Sequence, residues 1–250
     1  MTSIRAVVFD TDGVLLDSTV LHATAWKAAF DGCLDAWASD GTTQRRFDAD
    51  REYRELVDGK ARYDGARAFL SARGIDLPPG ERADTSGCRT VWAVAARKEQ
   101  IFTENLSSRA VDAFADVRPA LNELKARGAR CAAVSASRHA RALLESAALA
   151  DLFDALVDGK DAARLGLAGK PDPALFLEAA GRLGTAPADT AVVEDAIAGV
   201  EAGSRGGFGL VVGIDRSPDA HTADSLRAGG ADLVLSDLGA LPAVLRGHAP

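Results

Sequence analysis

The stretch Ala6-Val-Val-Phe-Asp10-Thr-Asp12-Gly13 decides how the fold of this chain is interpreted. Four apolar residues followed by an acidic turn predict a buried strand that ends at Asp10. Residues two apart in an extended segment point to the same side, so the carboxylates of Asp10 and Asp12 can face one site. Crowded carboxylates are stabilised by a cation, and hard oxygen ligands suit Mg²⁺. Acidic turns after strands are common, so this motif alone leaves a structural role open.

The composition is that of a globular chain with a substantial core and an acidic surface. The 250 residues are 47% hydrophobic and carry a formal net charge of −7. With no block of Lys or Arg, this charge argues against nucleic acid and anionic membranes as partners. Neither a signal-peptide pattern nor an apolar run of membrane-spanning length is present. We therefore expect a soluble, cytoplasmic monomer that acts on a small molecule.

The cysteines are too few and too scattered to indicate a stabilising framework. Cys33, Cys88 and Cys131 are odd in number, widely spaced and without a C-x-x-C pair. This pattern predicts neither a disulfide framework nor a zinc site. The absence of disulfides in turn favours a reducing compartment.

The order of elements predicts an α/β core interrupted by helices. In the C-terminal half, apolar strands alternate with helices, which implies right-handed crossovers and a parallel sheet. The segment after the first strand shows no convincing β run and several helices, one of which carries His22, Trp26 and Phe30 on one face. We expect a doubly wound, Rossmann-like parallel sheet with an inserted all-helical domain. The predicted domains are a core of residues 1–17 and 113–250 and a helical cap of residues 18–112.

Four predicted strand ends carry polar groups that suit phosphate chemistry. They are Asp10 with Asp12, Ser135 with Ala136 and Ser137, Lys170, and Glu194 with Asp195. Hydroxyls and backbone N–H groups ahead of a helix can hold an anion. With Mg²⁺ between Asp10 and Asp195, and with Ser135 and Lys170 on phosphoryl oxygens, Asp10 is free for in-line attack on phosphorus.

These four motifs, in this order, resemble those of the haloacid dehalogenase (HAD) superfamily, and the resemblance covers essentially the whole chain. The helical insertion corresponds to the cap of the subfamily that includes β-phosphoglucomutase and phosphoglycolate phosphatase. Three stretches of the insertion are similar to the β-phosphoglucomutase pattern: His22-x-x-x-Trp26, Gly59-x-x-Arg62 and Arg97-Lys98.

The resemblance implies a role for each of these residues. Asp10 is the nucleophile that forms an aspartyl phosphate, and Asp12 is the general acid and base. Ser135 and Lys170 complete the catalytic set by stabilising the transferring phosphoryl group. The implied substrate-binding residues are Ser18, His22, Trp26, Gly59, Arg62, Lys98, Ala136 and Ser137. The implied Mg²⁺ ligands are Asp10, Asp12 through its backbone carbonyl, Glu194 and Asp195.

Several of these residues also have ordinary structural interpretations. His22 and Trp26 lie on an apolar helix face that is typical of core packing. Ser18 and Ser137 stand where serine commonly caps the N-terminus of a helix. For these four residues the substrate-binding role therefore depends on the family pattern.

Three functions remain open at the level of sequence. The resemblance favours a β-phosphoglucomutase that interconverts β-glucose 1-phosphate and glucose 6-phosphate. A phosphatase acting on a small sugar phosphate or phosphoglycolate would use the same core residues, since Asp12 serves both reactions. Arg62 and the His22–Lys98 pair favour the mutase. A catalytically silent HAD-like binding protein is the third possibility, and the intact acidic motifs with Lys170 argue against it.

Overall fold

The computed structural model describes residues 4–38, 44–108, 110–216 and 220–247. The chain divides into two compact units, which we call unit 1 (Met1–Asp17 and Val111–Pro250) and unit 2 (Ser18–Ala110). In the part of the chain described, no helix combines the length and apolarity needed to cross a membrane.

Unit 1 is built on a six-stranded parallel sheet with the strand order β3-β2-β1-β4-β5-β6. The strands are β1 (Ala6–Asp10), β2 (Arg130–Val134), β3 (Ala155–Val157), β4 (Thr190–Glu194), β5 (Leu210–Ile214) and β6 (Leu233–Leu235). All residues of β1, β4 and β5 are buried, as expected for a parallel sheet covered on both faces. The predicted α/β fold class is confirmed.

Helices account for most of the remaining regular structure. In chain order, they are α1 (Thr19–Asp31), α2 (Arg62–Ala72) and α3 (Val91–Ser108) in unit 2, then α4 (Val117–Ala126), α5 (Ala140–Ser146), α6 (Gly159–Leu165), α7 (Ala174–Leu183), α8 (Ile197–Arg205), α9 (Ala220–Ala228) and α10 (Leu241–Arg246) in unit 1. A π-helical turn, Tyr53–Val57, precedes α2. Within the described residues, unit 2 contains helices and no strand.

The core of unit 1 includes the apolar face of α7, which packs against the sheet. In α7, Leu175, Phe176, Ala179 and Leu183 recur at helical spacing and are buried. They pack with inward-facing residues of the central strands, including Val8 of β1. This packing fixes β1 in the middle of the sheet, and with it the position at which Asp10 leaves the strand.

Unit 2 has a separate aromatic core. The ring of Phe30 in α1 stacks on Phe69 of α2, with ring centroids 3.8 Å apart, and on Trp26, with centroids 4.9 Å apart. Phe47 lies against both phenylalanine rings at centroid distances of 5.1 and 5.4 Å. Stacked aromatic pairs of this kind contribute beyond the area that they bury. The core therefore holds α1 and α2 together.

The prediction that the cysteines form no disulfide is wrong. Cys33, just after α1, is joined to Cys88, which lies shortly before α3, and their Cα atoms are 5.4 Å apart. The two residues are 55 positions apart in sequence, so only the packing of α1 against the chain before α3 brings them together. Cys131 in β2 is a free, buried cysteine. The argument for a reducing compartment loses this support.

Candidate active site

The register of the sheet brings three polar side chains together at the carboxyl ends of its central strands. Asp10, the last residue of β1, pairs with Val134, the last residue of β2. On the other side of β1, Phe9 pairs with Val193 of β4. Asp10, Ser135 and Glu194 therefore emerge at the carboxyl ends of three neighbouring strands, where open α/β sheets bind their ligands.

The turn after β1 is fixed by its own side chains. The amide of Asp12 donates to Asp10 Oδ2 at 2.9 Å. Thr11 Oγ1 donates to the carbonyl of Val134 at 2.9 Å and so ties the turn to the end of β2. Gly13 has a φ of +79°, a left-handed conformation that favours glycine. Its amide donates to the carbonyl of Leu16 at 2.9 Å, which closes the turn.

A buried lysine, Lys170, joins two of the acidic residues. It lies in the turn between α6 and α7 and not at the predicted strand end. Lys170 Nζ donates to Asp10 Oδ1 and to Glu194 Oε1. Lys170 is 2% exposed and Glu194 is 0% exposed, so neither charge is solvated. The other oxygen of Glu194 accepts from the amide of Ala196 at 2.7 Å. Both oxygens of Glu194 are thus hydrogen-bonded, and this carboxylate is the anchor for Lys170.

Burial and charge act in opposite directions on this group. Burial raises the pKa of Asp10 well above its usual range, Lys170 opposes the rise, and Glu194 and Asp12 add to it. Burial alone would lower the pKa of Lys170, but the carboxylates of Asp10 and Glu194 outweigh it and raise the pKa. Lys170 therefore stays protonated, and its charge is shared between two carboxylates.

Ser135 links the ends of β2 and β1. Its hydroxyl donates to Asp12 Oδ2 at 3.0 Å and accepts from the amide of Ser137 at 3.0 Å. Ala136 lies between these two serines in the bend that follows β2. The neutral hydroxyl of Ser135 thereby orients Asp12, an arrangement that suits a carboxyl group that exchanges protons.

The alternative interpretation of Ser137, as the N-cap of the following helix, is wrong. Helix α5 begins at Ala140, and its N-cap position is His139. Ser137 Oγ instead accepts from the amide of His139 at 3.2 Å, a local serine turn that precedes the helix. The bend thereby keeps the amide of Ser137 directed at Ser135.

The charge balance of the site fits a divalent cation. Asp10, Asp12 and Glu194 supply three carboxylates close enough to affect one another, against the single ammonium group of Lys170. Oxygen donors of this kind are hard ligands that suit Mg²⁺. With Lys170 Nζ placed between Asp10 and Glu194, the described residues contain no group of three or more acidic, His or Cys side chains already arranged around a metal. Asp195, half-buried, directly follows Glu194 at the end of β4.

Unit 2 holds a second cluster of predicted site residues. Lys98 of α3 is 5% exposed, and its Nζ lies 3.0 Å from Nδ1 of His22 in α1. The same Nζ lies 4.2 Å from the ring centroid of Phe102 and 5.7 Å from that of Trp26. His22 stacks on Phe102 with ring centroids 4.2 Å apart. The aromatic rings thus hold a cation in an apolar setting through cation–π contacts.

Arg62 lies at the start of α2 and makes an ion pair in the same unit. Its Nη1 is 3.0 Å from Oε2 of Glu99, which directly follows Lys98 in α3. Gly59, three residues before Arg62, has a φ of +69°. Ser18 precedes α1 and is buried, but its side chain makes no capping hydrogen bond to that helix. The side chain of Arg62 in α2 therefore contacts α3 at Glu99, the residue next to Lys98.

Three neighbours of these residues were not identified from the sequence. Two of them could have been identified from their positions, because Thr11 lies inside the first motif and Glu99 directly follows Lys98. Phe102 had a weaker one, because a phenylalanine four residues after Lys98 is also typical of core packing. All three act by orienting a predicted site residue.

The comparisons with known proteins place the chain in a family. The family model described as haloacid dehalogenase-like hydrolase matches residues 4–207. The chain belongs to this family, and it is an enzyme of the phosphotransferase or hydrolase kind found there.

Its relatives define the subfamily. The chain is 41% identical over 240 residues to a β-phosphoglucomutase of Mycobacterium bovis, covering 95% of this chain and 91% of the relative. It is 29% identical to the β-phosphoglucomutase of Bacillus subtilis, with 92% of each chain covered. Among solved structures, β-phosphoglucomutase from Clostridium difficile matches the fold with a TM-score of 0.75 at 20% identity, covering 98% of this chain and 97% of that one. The chain thus falls in the β-phosphoglucomutase-like subfamily.

Proposed function

We propose that this enzyme is a β-phosphoglucomutase that interconverts β-glucose 1-phosphate and glucose 6-phosphate through a bisphosphate. The observation that carries the proposal is the pairing of a lysine-bound carboxylate, Asp10, with a second carboxylate, Asp12, that is held by the hydroxyl of Ser135. A nucleophile beside an acid and base is what transfer through a covalent intermediate needs.

The proposed reaction has two symmetrical steps. Asp12 takes the proton of the 6-hydroxyl of β-glucose 1-phosphate, and that oxygen attacks the aspartyl phosphate, which breaks the P–O bond to Asp10 and gives the bisphosphate. After the bisphosphate turns over, a carboxylate oxygen of Asp10 attacks the phosphorus of the 1-phosphate. The P–O bond to the sugar breaks, Asp12 returns its proton to the departing sugar oxygen, and glucose 6-phosphate is released. No proton is gained or lost over the cycle.

Lys170 and Mg²⁺ would share the task of charge neutralisation. Lys170 lies against Asp10 and stabilises the negative charge of the transferring phosphoryl group. Asp10, Glu194, Asp195 and the backbone carbonyl of Asp12 would hold Mg²⁺. When bound, Mg²⁺ neutralises the charge of the phosphoryl oxygens and carboxylates. The amide of Ala136 and the Ser137 bend would contribute to phosphate binding.

The cationic residues of unit 2 separate the mutase from a phosphatase. A mutase must hold the second phosphate while the first one reacts. We assign this task to Arg62 and Lys98, with His22, Trp26, Gly59 and Ser18 shaping the sugar site. In the proposal unit 2 acts as a cap that excludes water and so protects the aspartyl phosphate from hydrolysis. Arg62 is paired with Glu99 in this structure, so a bound phosphate would replace that carboxylate.

The first experiment is ³¹P NMR of the enzyme with Mg²⁺, β-glucose 1-phosphate and a trace of β-glucose 1,6-bisphosphate. Glucose 6-phosphate without matching free phosphate is the expected result. The variant Asp10→Asn should give neither product, because the nucleophile is removed. The variant Arg62→Gln should lose transfer and keep hydrolysis of acetyl phosphate, which has no second phosphate to bind.

Free phosphate as the main product of the wild-type enzyme would contradict the mutase and establish the phosphatase. We also propose that the enzyme acts as a monomer and that its partner is a small sugar phosphate. Light scattering at working concentration tests the oligomeric state directly.

A further inference from the structure

Arg216, which follows β5, contacts the turn that carries the acidic motif. Its Nε donates to the carbonyl of Gly13 at 3.2 Å, and its Nη2 donates to the carbonyl of Val14 at 2.9 Å. The side chain is 18% exposed. A planar guanidinium can hold two adjacent carbonyls at fixed positions, which an ammonium group cannot do with the same geometry. One residue thus fixes the chain directly after Asp12.

The guanidinium is itself fixed by two residues of another segment. Nη1 and Nη2 form a bidentate pair with the carboxylate of Asp116, at 3.0 and 2.9 Å. The ring of Phe114 covers the guanidinium at 3.9 Å from its centroid. Asp116 also accepts from the amide of Leu238 at 2.6 Å. Arg216 is therefore oriented before it meets the carbonyls.

The two segments that Arg216 joins are the ones through which the chain leaves and re-enters unit 1. The segments are also hydrogen-bonded to each other, since the amide of Asp17 donates to Asp112 at 2.9 Å and that of Phe114 to Leu15 at 3.2 Å. Within the outgoing segment, the carbonyl of Thr11 accepts from two amides, which makes residues 11–16 one closed unit. A shift of the Gly13 carbonyl would therefore also displace the backbone of Asp12, the preceding residue in this turn.

We propose that Arg216 is a positioning residue for phosphoryl transfer, because its guanidinium fixes the carbonyls of Gly13 and Val14 and thereby the carboxylate of Asp12. The inference rests on the proposed role of Asp12 as acid and base. It does not depend on which sugar phosphate is the substrate. Arg216 contacts the turn at the carbonyls of Gly13 and Val14, so its expected effect on Asp12 is transmitted through the backbone.

Unit 2 supplies a matched control for the loss of a half-buried, ion-paired arginine. Arg73 makes a bidentate pair with Glu52 at 2.8 and 2.7 Å, and it donates to the carbonyls of Arg45 and Arg46 at 3.0 and 3.3 Å. Its guanidinium lies 5.0 Å from the ring centroid of Phe69. Arg73 thus has the same kinds of partners as Arg216 but contacts no residue of the acidic turn.

The test compares Arg216→Met, Arg216→Lys and Arg73→Met. For Arg216→Met we expect kcat for β-glucose 1-phosphate to fall about 100-fold with KM nearly unchanged, the loss typical of a misplaced catalytic group. The apparent pKa of the acid and base in the pH–rate profile should shift as well. Arg216→Lys should recover part of kcat. Arg73→Met should lose stability while kcat and the pH profile stay as in the wild type.

Two readouts separate this inference from the mutase assignment. If the wild-type enzyme fails to convert β-glucose 1-phosphate, the mutase is wrong, and hydrolysis of acetyl phosphate then reports on Asp12 in each variant. In the BeF₃⁻ adduct, the backbone amide resonances of Asp12 and Gly13 should move in Arg216→Met and stay in place in Arg73→Met. Wild-type kcat in Arg216→Met, or an equal loss of kcat in Arg73→Met, would overturn the positioning role.

Discussion

At the scale of single residues, Gly199 in α8 shows how closely the fold fits its acidic centre. A Cβ atom at this position would overlap the carboxylate of Glu194. That carboxylate cannot move aside without leaving Lys170 and the amide of Ala196. The absence of a side chain at Gly199 therefore leaves room for the Glu194 carboxylate to accept the hydrogen bond from Lys170.

We expect Gly199→Ala to destabilise the protein by roughly 2 kcal/mol, in spite of the gain in helix propensity, because overpacking forces a buried carboxylate off its partners. Urea denaturation measures the change, and kcat should fall as well. Gly181→Ala in α7 is the control, since its Cβ would meet no atom within 4 Å. This control should be stabilising by up to about 1 kcal/mol. An unchanged or raised stability in Gly199→Ala would contradict the expected overlap.

A second experiment should distinguish the proposed roles of Asp10 and Asp12. Asp12→Asn keeps the size and the contact with Ser135 but cannot exchange a proton. We expect kcat to fall on the order of 100- to 10,000-fold, the usual contribution of an acid and base. Binding of BeF₃⁻, followed by ¹⁹F NMR, should persist because Asp10 is intact. Asp10→Asn should lose that binding. Loss of BeF₃⁻ binding in both variants would show that Asp12 is needed for more than proton transfer.

At the scale of elements, an ion pair joins three consecutive pieces of unit 1. Arg182 of α7 donates to Asp161 of α6 at 2.9 Å and to the carbonyl of Leu156 in β3 at 2.6 Å. The hydrogen bond from Arg182 and that from Arg164 outweigh burial and lower the pKa of Asp161 from 3.8 to about 2. The crossover between β3 and α7 is thereby held at the edge of the sheet.

This pKa gives a pH-dependent prediction. A carboxyl group with a lowered pKa in the folded state stabilises the protein above its unfolded pKa and loses that effect as the pH falls. Asp161→Asn should therefore cost about 1 to 2 kcal/mol at pH 6, and the difference from the wild type should disappear between pH 3.8 and about 2. Urea denaturation across this range measures it.

The control is Asp224→Asn in α9. Asp224 pairs with Arg227 at 3.1 Å, but its side chain is 79% exposed. Exposed pairs of this kind contribute little, so no measurable change is expected. A pH-independent loss in Asp161→Asn would mean that its packing, not its charge, stabilises the crossover.

Much of this element structure could be predicted from the sequence. The apolar run Ala155-Leu-Val157 indicates a strand and forms β3, and the helical periodicity from Pro173 to Leu183 agrees with α7 to within one residue. The alternation of strands and helices also places Asp10 at the end of the first strand and Ser135 directly after the second. These signals are local, since they depend on periodicity and turn residues within a few positions.

The rest depended on contacts between distant residues. The Cys33–Cys88 bond and the contact of Arg216 with Gly13 join residues 55 and 203 positions apart. No spacing rule identifies such pairs. The two bonds of Glu194 were missed for the same reason, since its pattern as an acidic pair after a strand is typical of a metal ligand and gives no sign of Lys170.

At the scale of the whole molecule, the disulfide is the one covalent constraint within the described residues. It closes a loop of 55 residues. Because the cross-link lowers the conformational entropy of the unfolded chain, a loop of this length is expected to raise the free energy of unfolding by about 4 kcal/mol. We expect reduction to lower the melting temperature of unit 2 markedly. Differential scanning calorimetry with and without a reductant measures the effect.

The double variant Cys33→Ser/Cys88→Ser is the matched control and should melt at the same temperature in both conditions. Burial raises the pKa of Cys131 to about 12, so this thiol should not react in the native state. Alkylation in non-reducing denaturant should label Cys131 alone, because Cys33 and Cys88 are joined by the disulfide. Labelling of three cysteines would contradict the Cys33–Cys88 bond.

The central place of β1 in the sheet has a consequence for the order in which a ribosome-bound chain can fold. Unit 2 is continuous in sequence, so its helices can pack as soon as Ser18–Ala110 has been synthesised. The first strand made is paired with β4, which begins only at Thr190. Asp10 therefore meets Lys170 and Glu194 only after most of the chain has been synthesised, and the proposed mechanism implies that the nascent chain is inactive until then.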